Sequence, residues 1–70
     1  MKHDFNLAAL EFLVKEDGFL THKEIREQGY SWLDMSILRN KGFVLWRHKF
    51  GEWEYTYSDK GKEFVDSLKG

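Results

Sequence analysis

The chain has no cysteine and no proline in its 70 residues. Without cysteine, neither a disulfide framework nor a cysteine-based zinc site can staple so short a chain, and the core must hold itself. There is no apolar run near the ~20 residues that span a bilayer, which removes a membrane from the expected partners. The opening Met1-Lys2-His3-Asp4 lacks the basic, apolar and small-residue order of a secretory leader, so a cytosolic location is the expectation. Without proline, the turns fall to Gly18, Gly29, Gly42, Gly51 and Gly61, whose even spacing marks element boundaries within a single domain over residues 1–70. No linker, repeat or low-complexity segment interrupts it.

An excess of one charge is missing too. Eleven basic and twelve acidic residues leave a net charge of −1, which gives no global argument for nucleic acid. The distribution along the chain says more. Between Ser36 and Gly51 lie Arg39, Lys41, Arg47 and Lys49, with His48 and no acid, so this window carries +4 and the remainder −5. Such a window is either a nucleic-acid footprint or a solvated face that balances the rest of the molecule.

Aromatic residues are plentiful, at 17%. A chain of this length buries only about 60% of the surface its unfolded form exposes, so each buried ring counts heavily, and Trp32, Trp46 and Trp53 are the candidates. Asp4 is placed to cap a first helix running to about Glu16. Its two apolar stripes, Phe5/Ala9/Phe12 and Leu7/Leu10/Leu13/Val14, make an arc wider than one packed face needs. That surplus either belongs to the core or pairs with a second copy, so a homodimer through the terminal helices is one expectation.

Thr21-His22-Lys23-Glu24 reads as a capping box opening a helix of about two turns, anchored by Ile25 and stopped at Gln28-Gly29. Ser31 restarts a helix to about Lys41, with Asp34 suited to its N-terminus and Met35, Leu38 and part of Trp32 or Leu33 turned inward. Two helices joined across a glycine in this way fit a helix-turn-helix corner. Phe43 to Phe50 and Glu52 to Ser58 then alternate as two strands. A Phe50-Gly51 loop pairs Lys49 with Glu52 and Arg47 with Glu54 on one face. It pairs His48 with Trp53, Trp46 with Tyr55 and Val44 with Tyr57 on the other, which favours this register over one shifted to Gly51-Glu52. Ser58 or Asp59 caps a last helix with the stripe Gly61, Phe64, Val65 and Leu68, expected to pack onto the first.

Three landmarks now stand in order: Thr21-His22-Lys23-Glu24-Ile25, then Leu38-Arg39-Asn40-Lys41-Gly42-Phe43-Val44, then Tyr57-Ser58-Asp59-Lys60-Gly61. Together they resemble the winged helix-turn-helix transcription regulators over residues 5 to 68. The resemblance implies an α+β fold with three N-terminal helices, a β-hairpin wing and a short C-terminal helix. It also implies double-stranded DNA as partner, with the helix at 31–41 in the major groove. By position, Ser31, Trp32, Ser36, Arg39 and Asn40 would face the bases, with Lys41 near phosphate and Arg47, His48 and Lys49 on the wing. Arginine and asparagine can bond base edges bidentately, whereas lysine mainly neutralises phosphate. Asp34, Glu52 and Glu54 oppose that reading.

The rival reading is a winged-helix protein-interaction module, a small viral or accessory protein docking on a host factor such as polymerase. Near-neutral charge and surplus aromatics speak for it, and Trp32 is open to both a stacking and a partly buried role. Catalysis has no support: Ser31, Ser36, Ser58 and Ser67 lack a nucleophile elbow or a base, and no phosphate-cradling glycine loop occurs. His3, His22 and His48 do not form a metal constellation, so no cofactor or metal is expected.

Overall fold

A computed structural model describes residues 4–69; Met1, Lys2, His3 and Gly70, and with them the reading of His3, lie outside it. The chain forms α1 (Leu7–Glu16), β1 (Leu20–Thr21), α2 (His22–Glu27), α3 (Trp32–Asn40), β2 (Val44–Lys49), β3 (Glu52–Tyr57) and α4 (Asp59–Lys69). It is a mixed α+β structure of four helices and an antiparallel sheet in the order β1-β3-β2. No described helix is long and apolar enough to cross a membrane.

Local chemistry sets the helix starts. Asn6, not Asp4, caps α1, its side chain accepting from the Ala9 amide at 3.2 Å, and Asp4 instead reaches Lys41 Nζ at 2.6 Å. The cap lies one residue before the first helical turn, where an Asx side chain can meet an orphan amide, and Asp4 is too far upstream for that. Thr21 and Glu24 close a full capping box on α2. Ser31 and Asp34 do the same on α3: the Asp34 amide donates to Ser31 Oγ at 3.3 Å, and the Ser31 amide donates to Asp34 Oδ2 at 3.0 Å. Ser58 opens α4 and ties it to the rest, since Oγ accepts from the Gly61 amide at 3.1 Å and donates to the Gly42 carbonyl at 2.6 Å.

The core gathers Ala9, Leu10 and Leu13 of α1 with Leu20, Ile25, Met35, Leu38, Phe43, Val44 and Val65. The two stripes of α1 are thus largely used inside the molecule, with Phe12 and Val14 half-buried against the core. Phe43 stacks on Phe64 at 4.9 Å between ring centroids, and Phe5 meets both rings edge-on. These contacts bring α4 onto α1, as the last helix's stripe predicts, although Leu68 stays half-exposed at its far end. Gly61 makes no turn; it is buried within α4 because a Cβ there would lie 2.3 Å from the Phe43 carbonyl oxygen. Only a residue without a side chain lets the helix come that close.

The hairpin adopts the register read from the sequence at all five pairs, from Lys49↔Glu52 to Val44↔Tyr57. Its two turn residues both have positive φ, 52° at Phe50 and 79° at Gly51, as a two-residue loop matched to strand twist requires. The sheet's third strand, Leu20–Thr21 against Tyr55 and Glu54, is not foreseen by the sequence pattern, because two residues are too few to show alternation.

One core expectation is overturned. Trp32, Trp46 and Trp53 are 61%, 37% and 45% exposed, and Leu33 is exposed as well. In β2 only Val44 is buried and in β3 only Thr56, with Tyr55 and Tyr57 half-buried beside them, so from Trp46 and Trp53 onward the hairpin runs past what the core covers. Trp32 sits on the first turn of α3, one turn ahead of buried Met35 on the same side, where it reaches past the core and stays exposed.

Candidate functional site

Alternation along the hairpin divides its side chains between two faces. Trp46, His48, Trp53 and Tyr55 share the face that looks towards α3, and Arg47 points to the other. Trp53 is held between Trp46 (4.5 Å between ring centroids) and His48 (4.7 Å). Across from them α3 presents Trp32, Ser36 and Arg39, and the two elements enclose a cleft of about 420 Å³ completed by half-buried His22 and buried Met35. All three tryptophans of the chain line it.

Arg39 is the cation of this cleft. Its guanidinium lies 4.3 Å from the centre of the Trp46 ring, a cation–π contact that holds the planar fork in place. Among the described residues it has no carboxylate partner, and no acid lines the cleft. Tyr55 stands beside it. Burial pushes the Tyr55 phenol above its ordinary value of 10, and the charge of Arg39 pulls the other way.

The nine residues singled out from the sequence fall into three groups. Trp32, Ser36 and Arg39 come together at the cleft, with His48 stacked on its Trp53 wall. Asn40 is exposed on α3, and Ser31, though exposed, is engaged as the helix cap. The remaining three lie elsewhere. Lys41 turns its ammonium to Asp4, Arg47 pairs with Glu54 at 2.6 Å and covers the Phe19 ring at 3.7 Å, and Lys49 stands opposite Glu52 near the Phe50 ring. The basic window is therefore continuous in sequence and divided in space: Arg47 and Lys49 stand on the hairpin face opposite the one that meets Arg39, and Lys41 turns to Asp4.

Asp34 is less of an obstacle than its position suggests. Its carboxylate is folded back onto the Ser31 amide and hydroxyl, at the positive end of α3, instead of standing free on the helix face. The residues missed by the sequence reading are Trp46, Trp53 and Tyr55. The signal was present, since the paired register sets them on one face; what it does not carry is that the core ends before reaching them. No protein-family model, curated protein or solved structure matches the chain.

Proposed function

We propose that the chain is a winged-helix protein that binds double-stranded DNA, a small transcription regulator that sets α3 into the major groove with the β2–β3 hairpin as its wing. The element order fits that fold: α2 and α3 form a corner across Gly29, and a hairpin follows between them and a closing helix. The observation that carries the reading is the outer side of α3, where exposed Arg39 and Asn40 and half-buried Ser36 stand beside the hairpin while Asp34 is tied into the cap. Arg39 and Asn40 are the side chains able to bond purine edges bidentately. Lys41 and Arg47 serve phosphate, and their surface ion pairs are weak enough for a phosphate to displace the carboxylate.

The test is affinity for a mixed-sequence duplex as a function of salt. Counterion release makes log K fall with log salt by about 0.9 for each phosphate neutralised. If Lys49 alone engages phosphate the slope is about −1, and if Lys41 and Arg47 exchange their carboxylate partners for phosphate it approaches about −3. Absence of duplex binding at low salt, or binding indifferent to salt, rejects the proposal.

A second reading, a winged-helix module that docks on a protein, has its own observation. Trp32, Trp46 and Trp53 expose apolar surface around one cleft, and aromatic anchors of this kind dominate protein interfaces. A partner whose binding survives Arg39→Ala and Lys41→Ala but is lost with Trp32→Ala or Trp53→Ala selects it.

A further inference from the structure

The cleft between α3 and the hairpin has the makings of a small-molecule site as well as of a surface. Its volume of about 420 Å³ lies within the ~300–1,000 Å³ typical of such sites, and its walls are mostly aromatic with a few polar groups among them. The indoles of Trp32, Trp46 and Trp53 offer flat apolar faces that are 37% to 61% exposed, area that a bound ring would remove from water. Arg39 has no carboxylate partner among the described residues, and its N–H donors make no hydrogen bond to them, so beside its contact with Trp46 they are open to an acceptor. Ser36 and Tyr55 add hydroxyl donors to the same lining.

We propose that this cleft binds a small planar aromatic anion, an aromatic carboxylate in the simplest case, with its ring against the tryptophans and its charge on Arg39. The choice among ligand classes follows from the lining. A cation is disfavoured because Arg39 already occupies the face of Trp46 and no acid is there to receive a positive charge. A neutral apolar ligand leaves the guanidinium covered and unanswered, which costs free energy. A non-aromatic anion satisfies Arg39 but makes no use of the stacking faces. The Tyr55 phenol, protonated at neutral pH by its ordinary value of 10 and pushed further up by burial, is a donor available to the same carboxylate. The site stands on the cleft alone and does not require that the chain bind DNA; if it does, a ligand held by Arg39 takes that side chain from the duplex and the two compete.

The experiment is a titration followed by ¹H–¹⁵N NMR of the three indole N–H groups, all of which belong to the cleft. The probe is 2-naphthoate, compared with 2-naphthylmethanol, which keeps the aromatic ring and lacks the charge, and with cyclohexanecarboxylate, which keeps the charge and lacks the aromatic ring. Saturable movement of the indole signals with 2-naphthoate is expected, with 2-naphthylmethanol about tenfold weaker or more, the factor that one charge-assisted bond supplies, and cyclohexanecarboxylate weaker for want of the stacking face. Arg39→Gln is expected to lose about tenfold for 2-naphthoate and to leave 2-naphthylmethanol unchanged. Arg39 is exposed, and the dispersion of the amide spectrum reports directly that the variant is folded. Indole signals unmoved by 2-naphthoate, equal affinity for the uncharged compound, or an Arg39→Gln variant that binds 2-naphthoate as well as the parent chain overturns the proposal.

Discussion

Two aromatic clusters in this small molecule, one between α1 and α4 and one along α3 and the hairpin, are built in opposite ways. Phe5, Phe43 and Phe64 close on one another between α1 and α4, beside a glycine that lets the backbones touch. Trp32, Trp46 and Trp53 are larger and stand half-open along α3 and the hairpin. Burying rings is the obvious use of aromatics in a chain with so little interior. The phenylalanines do that; the tryptophans leave much of their apolar area in water, an arrangement that favours folding little and recognition more. The difference teaches that one residue class can fill the interior at one place in a domain and stay on the surface at another, according to how far the core extends beneath the rings.

That contrast can be broken by substitution. The largest expected effect is on the packed side: Leu10→Ala empties a fully buried position and should cost about 3 kcal/mol, within the 2–5 kcal/mol usual for such truncations. Against a total stability of roughly 4–10 kcal/mol for 70 residues, this shows as a clear fall in the urea midpoint. Gly61→Ala comes next, at about 1–3 kcal/mol, because the added methyl must push Phe43 and α4 apart. Trp53→Ala should cost only about 1 kcal/mol, mainly its contact with Trp46, despite the size of the side chain. A Trp53→Ala variant destabilised as strongly as Leu10→Ala would mean that the tryptophans belong to the core after all.

Smaller effects sharpen the same comparison at the tip of the hairpin. Phe50 holds a positive φ and is 93% exposed, so it is strained and gains nothing from burial. Phe50→Asn, which suits this turn, should raise stability by about 0.5–1 kcal/mol in denaturant unfolding. The last effect concerns pH. The Tyr57 hydroxyl donates to Asp17 Oδ1, and that bond, followed by burial and the Asp17 charge, lifts the phenol above 10. A raised pKa favours the protonated, folded form, so this stabilisation is complete below pH 10 and is lost as pH rises through the folded-state value. Tyr57→Phe should flatten the alkaline limb of the stability profile, measured by thermal melts from pH 8 to 12.

Much of this architecture is legible in the residues. The capping box at Thr21 and Glu24, the Ile25 anchor, the Phe50-Gly51 loop and every pair of the hairpin register are local or period-two patterns, and local chemistry decides them. The cap on Asn6 is missed because several polar residues precede α1 and the choice depends on where its first turn begins. The exposed tryptophans are missed for a different reason: whether a ring on the inner face of a strand is buried depends on how far the helices extend beneath it, which no spacing records. The site is half legible for the same cause. Arg39 and Ser36 lie on the outer helix side that helical periodicity picks out, whereas their aromatic partners come from a hairpin read as core.

The central claim is that α3 and the hairpin form the recognition surface, and the measurement closest to it is backbone amide NMR during titration with a mixed-sequence duplex at low salt. Shifts concentrated on Ser36, Arg39, Asn40 and Lys41 of the α3 end and on Arg47, His48 and Lys49, with α1 and α4 silent, are the result expected of this geometry. A duplex that moves the amides of α1 and α4 instead, or moves none, contradicts it.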